Sequence, residues 1–387
     1  MLDLRAVDRN ASNAEKYKRT VELFGSEEIL PMWIADMDLS SPAVVINAIE
    51  QRLKHPILGY EMFPQSALDA QISWFGQHHN VEIKAEWIRI SPSVVASLST
   101  ALRAFTNDGD EVLVMDPVYS PFYSVVKENN RVLRTHLLEQ ESTGRYIINL
   151  DRLEQEITSK TKAILLCSPH NPIGRVWSKE ELNGLAQICL KKQVMLICDE
   201  IHCDLVYSDA THHSMLALAK ELQEYLIVLI GPGKTFNLSG LGISSVVIMD
   251  EKLRKKYDES AKKNHCGEGN VLSNVAFEAA YSLGFPWYEE LMKQLHQNRE
   301  RLTRWMNQQS ILKWYPPEGT YLAWINCSDM GLSDHDIRHF FSEKAKLGLS
   351  PGRSFGIGGR FHMRLNFAVS SEVLENALER IEKGFRG

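Results

Sequence analysis

Five polar clusters, each directly after a short apolar run, carry residue types that could do chemistry. Ser91-Pro92-Ser93-Val94-Val95 follows Trp87 to Ile90 and opens a helical pattern, where unpaired backbone N–H groups can hold an anion. Tyr119 closes Asp116-Pro117-Val118-Tyr119 after Val112 to Met115 and adds a phenol. Ala163 to Cys167 leads into Ser168-Pro169-His170-Asn171-Pro172, which adds an amide. Val194 to Cys198 leads into Asp199-Glu200-Ile201-His202, and Leu226 to Ile230 into Gly231-Pro232-Gly233-Lys234-Thr235-Phe236. Ligands of an open parallel sheet bind in the crevice at the carboxyl ends of its strands, so these clusters are expected to converge there.

An anion site, a phenol, an amide, a carboxylate and a lysine suit a cofactor with a phosphate, a pyridine ring and an aldehyde. Lysine forms a Schiff base with an aldehyde, and an acid beside a ring nitrogen keeps the ring protonated and able to accept carbanion electrons. Pyridoxal 5'-phosphate fits every member of the set. Each member alone has an ordinary reading: Lys234 as a solvated turn residue, Asp199 as a helix cap, Asn171 as a turn former, Tyr119 as packing. Their joint placement carries the argument. Gly233-Lys234-Thr235 also resembles the end of a nucleotide-binding P-loop, but Val228 stands where that loop needs a glycine. Gly356-Ile357-Gly358-Gly359 likewise fails the dinucleotide pattern, at Phe361. Cys198, Asp199, His202, Cys203 and Asp204 follow a buried-strand pattern with no second ligand cluster, so no metal is expected.

The elements that must position these residues are legible as alternation. From about Glu86 to Asp250, the five runs above and a sixth, Val246 to Met249, alternate with helical stretches. This predicts an α/β domain with parallel strands and a sheet covered on both faces. Val95 to Phe105 reads as an amphipathic helix, and Ser178 to Leu190 as a helix opened by a capping box with Glu181. After Pro286 the pattern predicts a long polar helix from Tyr288 to Asn307 and short strands at Thr320 to Ile325 and Met363 to Phe367. Helices around Ser333 to Leu347 and Ser371 to Gly384 complete a smaller α+β domain. The expected division is 28–287 for the large cofactor-binding domain, with 1–27 and 288–387 forming the small one.

A chain of 387 residues, 44% apolar and 24% charged, is globular in composition. The net charge of −6, without a long basic run, argues against nucleic acid as a partner. Asp3, Arg5, Asp8, Arg9, Lys16 and Lys18 deny the N-terminal stretch the apolar core of a signal peptide, and no apolar run approaches the roughly 20 residues that span a bilayer. Six scattered cysteines, Cys167, Cys189, Cys198, Cys203, Cys266 and Cys327, read as free thiols in a reducing cytoplasm.

Taken together, the residues resemble fold-type I enzymes of the class I/II aminotransferase superfamily, in particular the MalY/PatB-like branch of cystathionine β-lyases. The resemblance spans nearly the whole chain. It rests on Pro31-Met32-Trp33-Ile34-Ala35-Asp36-Met37-Asp38, Leu58-Gly59-Tyr60, Asp116-Pro117-Val118-Tyr119, Pro169-His170-Asn171-Pro172 and Asp199-Glu200-Ile201-His202-Cys203-Asp204. Lys234-Thr235-Phe236-Asn237, Glu318-Gly319-Thr320-Tyr321 and Arg364-Leu365-Asn366-Phe367 complete it. The resemblance implies a mostly parallel central sheet in a large domain plus a smaller α+β domain. It implies that Lys234, Tyr119 and Asp199 are catalytic, with Lys234 bound to the cofactor aldehyde, Asp199 at the pyridine nitrogen and Tyr119 stacked on the ring. Asn171 would bond the ring oxygen, and His202 would lie behind the residues touching the ring. Ser93, Val94 and Val95 would meet the phosphate, joined by Tyr60 from the neighbouring subunit of a homodimer with shared active sites. Arg364 would clamp the substrate α-carboxylate beside Trp33 and Asn171, with Arg360 as the nearby competitor. Relatives often carry a hydroxyl residue just before the lysine and an arginine eight positions after it; Gly231, Gly233 and Gly242 stand in those places here, which shifts phosphate binding toward the backbone donors.

The implied reaction is β-elimination from L-cystathionine or a related cysteine S-conjugate, yielding a thiol such as homocysteine, pyruvate and ammonia. The alternatives are an aminotransferase, which uses the same carbanion, and an additional regulatory role through protein contact, for which no patch can be located in the sequence.

Overall fold

The computed structural model describes residues 4–265, 267 and 269–386, so Cys266 lies outside the described residues. A seven-stranded sheet organises the chain. Its strands are β1 (Ile88–Ser91), β2 (Glu111–Asp116), β3 (Val132–Leu137), β4 (Thr161–Cys167), β5 (Met195–Asp199), β6 (Leu226–Ile230) and β7 (Ser244–Val247), in spatial order β1-β7-β6-β5-β4-β2-β3. Strands β3, β2, β4, β5 and β6 run parallel. Each central strand alternates between two cores: Val112 and Val114 face one side while Leu113 and Met115 face the other, and Ala163 and Leu165 oppose Ile164 and Leu166. Burial on both faces explains why the sequence shows unbroken apolar runs here.

Two expectations are corrected. The run Val246 to Met249 only half overlaps β7, which spans Ser244–Val247 and pairs antiparallel with both β6 and β1. An antiparallel return needs no helical crossover, so the connection from Ile230 to Ser244 is free to form the lysine loop. Strand β3 escapes the run-based reading because it lies at the sheet edge with most of its residues exposed.

Helices cover both faces. Helix α1 (Gln65–His79) precedes the sheet. Helix α2 (Val94–Phe105) lays Leu98, Ala101 and Leu102 on one core, and α3 (Lys179–Lys192) lays Leu182, Leu185 and Cys189 on the other, opened by the expected Ser178–Glu181 capping box. Helix α4 (Phe285–Met306) leads to a four-stranded antiparallel sheet of β8 (Lys313–Trp314), β9 (Leu322–Asn326), β10 (Ser350–Pro351) and β11 (His362–Asn366), in order β8-β9-β11-β10. The helix expected over Ser333 to Leu347 stops short. Helix α5 (Asp334–His339) passes into a wider turn at Phe340–Lys344, Lys346 takes a left-handed φ of 51°, and Leu347–Gly348 pairs in parallel with Leu30–Pro31. A left-handed residue cannot continue a right-handed helix. Helix α6 (Ser371–Arg386) closes the chain. No helix of the described residues is long and apolar enough to cross a membrane.

Candidate active site

The carboxyl ends of the parallel strands surround a cavity of ≈ 170 Å³. After β1, Ser93 caps α2 by accepting a hydrogen bond from the Ala96 N–H at 3.1 Å, and Ser93, Val94 and Val95 line the cavity with the helix start. Tyr119 enters after β2, Asn171 after β4, Asp199 and His202 after β5, and Lys234 after β6. Because β7 is antiparallel, its first residue, Ser244, reaches the same edge. A Cβ at Gly231 would sit 3.0 Å from Ser244 Cα and 3.3 Å from Ile201 Cδ1, so close packing of the loop accounts for glycine here.

Burial sets the electrostatics. Asp199 accepts one hydrogen bond, from the Ile201 N–H at 3.0 Å, and burial pushes its carboxyl up to about 7 against that bond and the Lys234 charge. Lys234 donates from Nζ to the Ala35 carbonyl at 2.7 Å. Burial and the nearby Arg364 charge pull its amine down to about 8, with Asp36 and Asp199 acting in the opposite direction. Burial also raises the Tyr119 phenol, and burial with the Lys234 and Arg364 charges drives the His202 imidazole well below its ordinary value. His202 lines the cavity wall directly rather than lying behind it, and its buried Nδ1 has no hydrogen-bond partner.

A second cleft of ≈ 540 Å³ shares Ala35, Tyr119 and Lys234 with the first and adds Trp33 and Arg364. Arg364 donates from Nη1 to Asn171 Oδ1 at 3.0 Å and from Nη2 to the Trp33 carbonyl at 2.6 Å, while its Cζ stands 4.7 Å from the Phe355 ring centroid. Its buried Nε has no partner, and burial lowers the guanidinium to about 10. With its Nε free, this buried guanidinium is suited to an anionic ligand, in a cleft whose lining also includes the carboxylate of Glu15. Arg360, the sequence competitor, is half exposed and points toward Asp334 at 3.9 Å. Tyr60 lies fully exposed, away from both cavities of its own chain.

The structure adds residues that sequence reasoning left without a role. Ala35 accepts from Tyr321 OH as well as from Lys234, tying the lysine to the second sheet. Next to Lys234, Thr235 Oγ1 donates to Asp204 Oδ2 at 2.6 Å, while Trp74 Nε1 and His79 Nε2 meet Asp204 Oδ1 at 2.9 and 2.6 Å. Burial works against Asp204 ionisation, yet the His79 hydrogen bond and charge hold its carboxyl below the ordinary range. The polar members of the Asp-Glu-Ile-His-Cys-Asp and Lys-Thr segments were the available signal.

An α/β unit with its sheet covered on both faces, and a lysine, a carboxylate and a helix start converging at the strand ends, defines a class, and comparison agrees with it. The aminotransferase class I and II family matches residues 32–381, and the chain belongs to that family. Within it, the chain is 37% identical over 378 residues to cystathionine beta-lyase PatB of Bacillus subtilis, covering 97% of each chain. Among solved structures it resembles cystalysin of Treponema denticola, which contains pyridoxal 5'-phosphate, with a TM-score of 0.95, 29% identity and coverage of 99% and 98% of the two chains. It also resembles the PLP-bound C-S lyase of Staphylococcus hominis, with a TM-score of 0.91, 32% identity and coverage of 98% and 97%.

Proposed function

We propose that this protein is a pyridoxal 5'-phosphate-dependent carbon–sulfur β-lyase that cleaves L-cystathionine and related cysteine S-conjugates. The carrying observation is that Lys234, Asp199, Tyr119 and Asn171 line one cavity while Arg364 holds an unpartnered Nε in the adjoining cleft. The residues fit the cofactor. Asp199 suits a protonated ring nitrogen because it is a buried carboxylate with a single donor, and Asn171 offers an amide to the ring oxygen. Ser93, Val94 and Val95 would present a helix start to the phosphate, with His202 in the cavity wall and Tyr119 available to the ring. Lys234, depressed to about 8, has the nucleophilic amine that an aldehyde requires.

When bound, the cofactor supplies an electron sink for the carbanion left by α-proton removal. The chain's own residues do the rest. Arg364 takes the substrate α-carboxylate with its planar donor fork, and Asn171 and the Trp33 carbonyl hold that fork in orientation. Lys234 Nζ, held by the Ala35 carbonyl, removes the α-proton; an amine near 8 is poised for this around neutral pH. Asp199 would keep a proton at the ring nitrogen, and Tyr119 retains its phenolic proton because burial raises it. The carbon–sulfur bond breaks, its electron pair leaving with the sulfur. One water then completes the balance of cystathionine plus water to homocysteine, pyruvate and ammonia.

The functional unit in this reading is a homodimer. Ile57, Leu58, Tyr60 and Met62 stand exposed on one segment without helix or strand, an apolar surface that a second copy would cover while Tyr60 reaches the partner's phosphate site. The reading also keeps a large domain at 28–287 around the seven-stranded sheet and a small one at 1–27 and 288–387, with α4 bridging them. It places the protein in the cytoplasm, supported by five described cysteines that are all buried and unpaired.

Purified protein given L-cystathionine without any keto acid is expected to release pyruvate continuously, and Lys234→Ala to lose both the visible cofactor band and nearly all turnover. A single stoichiometric turnover that stalls would assign an aminotransferase instead.

A further inference from the structure

On the surface, α5 and the wider turn that follows it carry four exposed side chains in a row of contacts. Glu343 Oε1 meets His339 Nδ1 at 2.7 Å, His339 Nε2 meets His335 Nε2 at 3.1 Å, and His335 Nδ1 meets Asp336 Oδ1 at 3.3 Å. Two neutral imidazoles carry two N–H protons, but these three contacts each need one. If both Nδ1 atoms donate to their carboxylates, two bare Nε2 lone pairs face each other; if one Nε2 donates, a bare Nδ1 faces a carboxylate. Either tautomer leaves one repulsive contact that an added cation would relieve.

The geometry fits a metal ion at the central contact. At metal–nitrogen distances of roughly 2.0–2.1 Å, two nitrogens on one ion lie about 2.9 Å apart at a right angle and about 3.4 Å apart at a tetrahedral angle, which brackets the observed 3.1 Å. Spacing of four residues sets both rings on one helix face. A carboxylate behind each ring orients it and favours the tautomer that frees Nε2, as around known imidazole–metal sites. The His335 and His339 side chains are 74% and 46% exposed, so an ion has access from solvent and waters can complete its shell.

His79, Cys203 and Asp204 also place ligand atoms within 4.8 Å of one another, but there both Asp204 oxygens already accept from Trp74, His79 and Thr235. We infer that the His335–His339 pair, backed by Asp336 and Glu343, is a surface site for one borderline divalent transition-metal ion such as Zn²⁺ or Ni²⁺.

Calorimetric titration of tag-free, cofactor-loaded protein with Zn²⁺, and separately with Ni²⁺, tests this. One ion per chain is expected, with affinity lowered at least tenfold in His335→Ala and in His339→Ala. Glu343→Gln should lower it about tenfold by releasing the ring orientation. Pyruvate release without added metal should stay at the parent level in all three variants. Failure of both ions to bind would overturn the inference. Wild-type affinity in both alanine variants would overturn it by placing the ion elsewhere.

Discussion

Asp199 and Asp204 stand five residues apart at the end of one strand, 4% and 3% exposed, yet their chemistry diverges. Asp199 receives a single backbone N–H and is pushed up to about 7. Asp204 receives Trp74, His79 and Thr235 and is held below the ordinary carboxylate range although burial opposes this. Burial alone therefore does not set the state of a carboxylate; the donors around it do. The satisfied carboxylate builds the platform next to Lys234, while the unsatisfied one faces the cavity and retains unspent capacity for a ligand.

This contrast can be broken by measurement. The largest effect is expected from Asp199→Asn, whose turnover should fall on the order of 10²- to 10⁴-fold while the urea midpoint of the cofactor-free protein holds or rises. Wild-type turnover in that variant would remove Asp199 from the chemistry. Asp204→Ala should reverse the pattern, leaving Trp74, His79 and Thr235 with unpaired polar groups and costing roughly 3–5 kcal/mol in chemical denaturation. A loss below about 1 kcal/mol would show that the network does not support the fold.

The pH dependence of cofactor-free stability sharpens the same comparison. The folded Asp199 carboxyl titrates near 7 and the unfolded one near its ordinary 3.8, so the folded state holds a proton across that window that the unfolded state has released. The Asp199 contribution is thus present in full below about pH 4 and is lost as pH rises toward 7. Between pH 4 and 8, Asp199→Asn should gain roughly 2–4 kcal/mol on the parent chain in denaturation midpoints converted to free energy. Parallel curves for the two proteins would mean that the carboxyl titrates normally. The smallest effect belongs to Thr235→Val, which removes one hydroxyl from Asp204 and should cost about 1 kcal/mol, with Thr235→Ser restoring it.

Much of this arrangement was legible in the sequence for a physical reason. Central strands buried on both faces favour unbroken apolar runs, and all six runs fall on or overlap strands of the sheet, with the polar clusters after the first five marking its ligand-binding edge. Legibility failed where that constraint relaxes. Edge strand β3 is exposed and mixed in composition, and the direction of β7 depends on which neighbours it pairs with rather than on its residues. The Asp204 donors come from positions 31 to 130 residues away, and the Ala35 carbonyl that holds Lys234 lies 199 residues from it. Backbone acceptors have no residue-type signature, so sequence cannot nominate them.

The sequence by itself determined the α/β class, the order of the strands along the chain, the lysine, carboxylate, amide and phenol at their carboxyl ends, and the capped helix start that follows β1. Those features follow from local patterning and residue chemistry. Tertiary structure alone decided that Arg364 rather than Arg360 faces the cleft, that His202 lines the cavity, that Asp199 stays under-hydrogen-bonded while Asp204 is saturated, and that two histidines on α5 meet nitrogen to nitrogen. The reason is that desolvation, hydrogen-bond partners and the distances between charges are properties of neighbours in space, which chain order does not encode locally.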